Sequence, residues 1–132
     1  DIRVYFAPRG QWNEITRSEG LNYSAMGNIG MFYIFWNEEF VIESAMSIIA
    51  TELPKRWHKH IIMEEMTQLL GFPNDTPELP MSIFYQKRKW GGKTQKFHAL
   101  DRKLIKFSYT HLKPGDTSID IETAFHKFWS EI

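Results

Sequence analysis

The chain has 132 residues, enough for one domain with a sizeable core, and 42% of them are hydrophobic, which excludes a disordered polypeptide. Sixteen basic residues balance sixteen acidic ones, so no net charge draws the chain to nucleic acid or to an anionic membrane. The absence of cysteine excludes disulfides, cysteine-type zinc sites and thiol nucleophiles. No run approaches the roughly 18 apolar residues of a membrane span. The chain opens on Asp1 without an apolar leader, so we expect a mature or trimmed form.

The first part of the chain predicts β-strands. Residues 2–6 alternate and stop before Pro8, and residues 30–36 form a short apolar run that is typical of a buried strand. After a turn at residues 37–39, residues 40–50 alternate in a way that predicts a hairpin partner for the preceding strand, or an edge strand.

A helix is predicted over residues 54–70, with Pro54 in its first turn and Gly71 as its C-terminal cap. An apolar stripe along it predicts the face that packs on the core: Ile62, Met66, Leu69 and Leu70. Four polar residues fall on the other side and are expected to lie opposite the core: His60, Glu64, Glu65 and Gln68.

Two further helices are predicted in the last third of the chain. The first covers residues 100–109, and the second follows a capping box formed by Thr117 and Asp120. The second helix carries an apolar stripe that we expect to cover the domain's own core, with docking to another protein as the alternative: Ile121, Phe125, Phe128, Trp129 and Ile132. Strands followed by helices predict a single α+β domain over residues 1–132, in which 115–132 would be an added C-terminal helix.

The most specific motif lies at the end of the helix predicted over 54–70. It reads Glu-Glu-x-x-Gln-x-x-Gly-x-x-Asn-Asp and comprises Glu64, Glu65, Gln68, Gly71, Asn74 and Asp75. Its spacing resembles the H-E-x-x-H-x-x-G-x-x-H motif of zinc metallopeptidases, with the histidine ligands exchanged and the general-base glutamate and turn glycine kept.

With Thr67 and Pro73, this string resembles an uncharacterised bacterial family of zincin-like domains, known from sequence as a domain of unknown function. The segment Ser82-Ile83-Phe84 is similar to a later part of that family's pattern, and the stretch from Leu100 to Tyr109, followed by Pro114-Gly115, is similar to its closing helix and turn. The resemblance implies a zincin-like, metzincin-related fold, with a small mixed sheet, a motif-bearing helix and C-terminal helices. It also implies an exported protein, in the periplasm or outside the cell.

The resemblance places Glu65 at the position of the general base. A metal ion would be held by Glu64, His60 and Asn74, with Asp75 able to contribute. Amide and carboxylate oxygens suit a hard cation better than zinc. The favoured interpretation is therefore a site without a cofactor, whose polar residues form a buried hydrogen-bonded network; zinc or another divalent cation is the alternative. Acid–base chemistry by Glu64 and Glu65 without a metal is a weaker option.

One basic cluster surrounds Trp90, and its members are Lys87, Arg88, Lys89, Lys93 and Lys96. Such a cluster can bind a phosphate backbone and stack a base on Trp90, or bind an acidic partner near the cleft. The balanced charge of the chain disfavours nucleic acid and favours a solvated hairpin tip.

We therefore expect a noncatalytic, zincin-derived domain of an exported bacterial protein, which binds a peptide or protein segment in its cleft. The binding residues would be Glu64, Gln68, Asn74, Asp75 and Trp90. The alternative is a divergent metal-dependent hydrolase or peptidase that uses Glu65 as general base.

Overall fold

The computed structural model describes residues 1–22, 27–87, 90–91 and 94–132, with only the backbone described at 87, 90 and 91. The strands are β1 (Ile2–Ala7), β2 (Gly30–Trp36), β3 (Ile42–Ala50), β4 (Gln86–Lys87) and β5 (Trp90–Gly91). The α-helices are α1 (Trp12–Ser18), α2 (Lys55–Gln68), α3 (Ala99–His111) and α4 (Ser118–Phe128), with short 3-10 turns at Arg9–Gln11 and Trp129–Glu131. The domain is thus a small mixed α+β domain.

The main sheet has the order β1-β3-β2 and is mixed. β3 pairs in parallel with β1 and antiparallel with β2, so the predicted hairpin partnership of β2 and β3 is confirmed. The alternative of an edge strand is wrong, because β3 lies between β2 and β1 and pairs with both. The sequence pattern of β3 agrees with its central place, since its last six residues are all buried.

The sheet lies between two helices. On one face, side chains of all three strands form the core with Trp12 of α1, whose indole nitrogen donates to the carbonyl of Ala7 at 3.0 Å. The buried members of this core are Ala7, Trp12, Met31, Met46, Ile48 and Ala50. The other face carries α2, which packs on β2 and β3.

The expectation that the polar face of α2 lies opposite the core is wrong. His60, Glu64, Glu65 and Gln68 are all buried. Of the predicted core stripe only Leu69 is buried, whereas Ile62 and Met66 are half-buried and Leu70 is exposed. The reason is that this side of α2 is covered from two directions, by the sheet and by the chain segments around residues 75 and 94. The helix therefore turns its polar residues inward.

Helix α3 is attached to the rest of the domain by one buried carboxyl group. The two oxygens of Asp101 accept hydrogen bonds from the Ser82 hydroxyl at 2.6 Å, the Ile83 amide at 3.0 Å and the His98 amide at 2.8 Å. At the other end of α3, the Tyr109 hydroxyl donates to the carbonyl of Leu70 at 2.7 Å. Asp101 and Tyr109 thus fix α3 against the segment at 82–83 and the end of α2.

Helix α4 packs on α3 through aromatic rings. Phe125 and Trp129 contact Phe107 of α3, and the rings of His111 and Phe128 stack at 4.2 Å. The capping box of Thr117 and Asp120 is present as predicted. The apolar stripe predicted on α4 is only partly covered by the rest of the domain. No residue of α4 is buried, and Ile121 and Phe125 are exposed. Among the described residues, no helix is long and apolar enough to cross a membrane.

We predict that Asp101→Ala destabilises the domain by about 3 to 5 kcal/mol, because two buried donors, the Ser82 hydroxyl and the Ile83 amide, and the partly buried His98 amide lose their acceptor. The free energy of unfolding would be measured by urea denaturation. The matched control is Asp116→Ala, which removes one hydrogen bond at the exposed turn before α4 and should cost about 1 kcal/mol or less. Equal losses in the two variants would contradict the anchoring role of Asp101.

Candidate functional site

The candidate site is built from the last two turns of α2 and the loop that follows. α2 ends at Gln68, and Gly71 follows with a φ of 97°, a backbone conformation that a residue without Cβ tolerates. Gly71 thus serves as the C-terminal cap that the sequence predicted. The loop then returns along α2, where the amide nitrogen of Gln68 donates to Asp75 Oδ1 at 3.0 Å. This bond places the Asp75 carboxyl beside the buried acids of the helix.

Glu65 packs directly on β2. A Cβ built at Gly30 would stand 2.2 Å from Glu65 Oε1 and 2.7 Å from Ile61 Cγ2, so only glycine leaves room for this side chain. The second oxygen of Glu65 is buried and has no hydrogen-bond partner among the described residues. A carboxyl group in such a place pays a large desolvation cost if it is ionised.

His60 is fully buried, and its hydrogen bonds define its tautomer. Nδ1 lies 2.7 Å from the carbonyl oxygen of Thr94, which can only accept, so Nδ1 carries the proton. Nε2 has no hydrogen-bond partner among the described residues and lies 3.4 Å from Glu64 Oε2. Its lone pair therefore faces the Glu64 carboxyl group.

The electrostatics keep this cluster close to neutral. Burial, with the nearby Asp75 carboxylate as a second cause, raises the pKa of Glu64 to about 8. Burial, with Glu64 and Asp75 adding to it, raises the pKa of Glu65 well above its usual value. Burial lowers the pKa of His60, against the opposing effect of the Thr94 carbonyl. Burial thus favours the protonated form of both glutamates and the uncharged form of the imidazole.

Asp75 marks the edge of the cluster that faces water. Much of the residue is exposed, yet its carboxyl group is partly withdrawn from solvent, which raises its pKa above the usual value. It receives the Gln68 amide on one oxygen. Asp75 is therefore the member of the cluster that an incoming molecule meets first.

Next to this edge lies an apolar pocket of about 250 Å³. It opens between the loop after α2, the segment at Phe84 and the exposed flank of α3. Its lining residues are Gly71, Phe72, Pro73, Asn74, Phe84 and Leu104. Asn74 is the polar member of this lining, and in the chain it directly precedes Asp75 of the acidic cluster.

The structure brings together most of the residues that the sequence singled out. His60, Glu64, Glu65, Gln68 and Asp75 form one cluster, while Asn74 belongs to the pocket beside it. The side chains of Trp90, Lys87, Arg88, Lys89 and Lys93 are not among those that the structure describes. The interpretation of the basic cluster therefore stays a prediction.

Two contributors were missed by the sequence analysis. Gly30 carried a signal, because a glycine at the start of an apolar strand often marks a close approach of another group. Thr94 carried none, since it acts through its backbone carbonyl.

The residues predicted to hold a metal ion are Glu64, His60 and Asn74. Among the described residues, no three histidine, aspartate or glutamate side chains are placed to hold one ion. Glu64 and His60 lie side by side and Asn74 lines the neighbouring pocket, and their assignment as metal ligands stays a prediction. Protonation of Glu64 at neutral pH further weakens it as a ligand, because a metal binds the ionised carboxylate.

We predict that the folded domain loses stability as the pH rises from 6.5 to 8. Glu64 ionises near pH 4.5 when unfolded but only near pH 8 when folded, and Glu65 is shifted in the same direction. The folded state thus binds more protons than the unfolded state in this window, so the free energy of unfolding falls by up to about 1.4 kcal/mol per pH unit for each acid. His60 gives the opposite slope, but only below pH 6.5.

Urea unfolding of the parent and of Glu64→Gln at several pH values in this window measures the effect. The variant, which has no proton to lose at this position, should show a shallower decline. Glu122→Gln, at an exposed glutamate of α4, should follow the parent. A parent curve that is flat or rises with pH would show that the two acids are not held neutral.

Comparison with known proteins places the chain in a family. No curated protein and no solved structure matches it. The family model described as Protein of unknown function (DUF2927) matches residues 1–127. Because this match spans nearly the whole chain, the protein belongs to that family.

Proposed function

We propose that this protein is a noncatalytic binding domain, derived from a zincin, of an exported bacterial protein. It takes up a peptide or protein segment beside the end of α2. The observation that carries the proposal is the apolar pocket, bordered by Asn74 and followed by the Asp75 edge of the buried cluster. A mostly apolar depression with a few convergent polar groups is the usual form of a binding site.

The protonation of the two glutamates favours binding over catalysis. A general base must be able to accept a proton near the working pH, and burial raises the pKa of Glu65, which favours its protonated form. A neutral carboxyl group instead donates a hydrogen bond, as a peptide carbonyl requires. The cluster is thus better suited to recognising a polar backbone than to activating water.

The zincin ancestry is part of the proposal. It is supported by the motif spacing along α2, by the helix end at Gly71, and by the position of Asp101 and Tyr109 as anchors of the following helix. An exported location follows from the same resemblance.

Leu104→Lys and Asn74→Ala should each weaken peptide binding at least tenfold, a loss of about 1.4 kcal/mol. Leu104→Lys introduces a charge into the apolar pocket, and Asn74→Ala removes its polar rim. The probe is a set of peptides selected from a phage-displayed random library on the parent protein, with affinities measured by fluorescence anisotropy.

Leu79→Lys is the matched control, because Leu79 is comparably exposed but is not part of the pocket lining. It should bind the selected peptides as the parent does. If Leu104→Lys and Asn74→Ala keep the affinity of the parent, the pocket is not the binding site.

A divergent metal-dependent hydrolase is the second candidate. It is favoured by two buried atoms that have no partner among the described residues, Nε2 of His60 and Oε2 of Glu65, each of which an ion or an activated water would satisfy. The ion would have to draw Glu64 and either Asn74 or Asp75 toward His60. Its charge would lower the pKa values of the acids and so free Glu65 to act as base.

We expect that zinc, calcium and manganese, added one at a time to protein purified without chelator, leave the melting temperature unchanged. The hydrolase alternative predicts the opposite: one ion bound stoichiometrically, a higher melting temperature that Glu64→Gln abolishes, and peptide hydrolysis that Glu65→Gln abolishes without unfolding. Such a result would overturn the noncatalytic proposal in favour of the hydrolase.

A further inference from the structure

The turn between β2 and β3 exposes an unusual number of large apolar side chains. Trp36 is 58% exposed, Phe40 64%, Val41 41% and Ile42 40%. These residues belong to the segment from Trp36 to Glu43, which we name the acidic–apolar turn. Four exposed large apolar side chains within seven residues of one turn are more than a folded domain usually shows at one place, and such clustering is typical of an interaction site.

The acidic–apolar turn is held in one conformation. Oδ1 of Asn37 accepts hydrogen bonds from the amides of Glu39 and Val41, both at 3.0 Å. The backbone closes the turn as well, with the Asn37 amide donating to the carbonyl of Val41 at 3.1 Å. The side chains of the turn are therefore presented on a rigid frame, which lowers the entropy lost on binding.

Phe40 stands in a costly backbone conformation. Its φ is 60°, in the left-handed region that glycine and asparagine adopt more readily than a bulky aromatic residue. Its ring touches the rest of the domain at its edge, where Cδ2 lies 3.9 Å from the position that a Cβ on Gly115 would take. Strain at an exposed aromatic residue is expected where the side chain serves recognition and not folding.

The charge of the turn identifies the kind of partner. Three exposed glutamates, Glu38, Glu39 and Glu43, lie among the apolar residues, and the segment contains no lysine or arginine. Within the described part of the chain, none of the three forms an ion pair. The chain as a whole has a net charge of zero, so this is a local acidic surface. Phosphate backbones and anionic lipids would be repelled by it, whereas a cationic segment would be attracted.

We propose that the acidic–apolar turn is a docking surface for a protein segment in which lysine or arginine residues alternate with apolar ones. Phe40 and Trp36 anchor the apolar side chains, and the three glutamates pair with the cations around them. The surface borders the loop after α2, where Ile42 Cδ1 lies 3.5 Å from the position of a Cβ on Gly71. It shares no residue with the pocket, so the proposal is independent of the proposed function.

Three synthetic peptides of twelve residues test it by isothermal titration calorimetry. The first alternates lysine with leucine and phenylalanine, the second has glutamate in place of lysine, and the third has serine in place of the apolar residues. We expect the first to bind, with an affinity that falls as salt is added, and the other two to bind at least tenfold more weakly. Failure of the first peptide to bind, or equal binding of the first and second, would overturn the proposal.

Variants locate the surface. Phe40→Asn should weaken the first peptide at least tenfold, and the double variant Glu38→Gln and Glu39→Gln should weaken it severalfold and reduce its salt dependence. Phe6→Asn, at an exposed phenylalanine of β1, and Glu122→Gln are the matched controls and should bind as the parent does. Leu104→Lys should also bind as the parent does, so that loss of the pocket function and loss of this function are separable.

Stability separates docking from a structural role of Phe40. Because asparagine adopts a positive φ with less strain, Phe40→Asn should melt at the temperature of the parent or above it. A lower melting temperature with unchanged peptide affinity would show that Phe40 serves the fold and would overturn the proposal. Sedimentation equilibrium of the parent gives a further check: self-association that Phe40→Asn abolishes would reassign the surface to a second copy of this chain.

Discussion

The structure depends on the burial of two neighbouring carboxyl groups on one helix. Glu64 and Glu65 are enclosed between β2, the returning loop and the rest of α2, and an ionised pair in this place would cost several kcal/mol. Folding therefore selects the protonated state. The same constraint requires glycine at position 30, an uncharged His60, and a polar partner for Gln68 at Asp75. The site and the fold are thus specified by the same contacts.

Local patterns were enough to predict the elements that the site rests on. The run at Gly30–Trp36, the end of α2 at Gly71 and the capping box before α4 each depend on residues close together in sequence, and each was placed correctly. The parallel pairing of β1 with β3 depends on contacts more than 40 residues apart, which no local pattern encodes. The sequence pattern could therefore predict that residues 40–50 form a strand, but not that this strand lies in the middle of the sheet.

The site itself was predicted in its members but not in its environment. Helical spacing correctly grouped His60, Glu64 and Gln68, because three and four residues make one turn. The same periodicity led to the wrong side of the helix being assigned to the core, because polar residues were assumed to face water. What covers them is a backbone carbonyl at Thr94 and a strand at Gly30, and neither covering group can be identified from the polarity of α2. The pKa shifts of His60, Glu64 and Glu65 follow from this burial, so they could not be predicted from the sequence either.

The two proposed surfaces differ in the physics that each can use. The side chains that line the pocket are apolar apart from the uncharged Asn74, so recognition there rests on apolar contact and neutral hydrogen bonds and should respond little to salt. The acidic–apolar turn carries three solvated charges, so attraction to it is screened by salt over about 8 Å at physiological ionic strength. A net charge of zero for the whole chain conceals this division. The uneven distribution of ionised acids, and not their number, decides which partners the domain can attract from a distance.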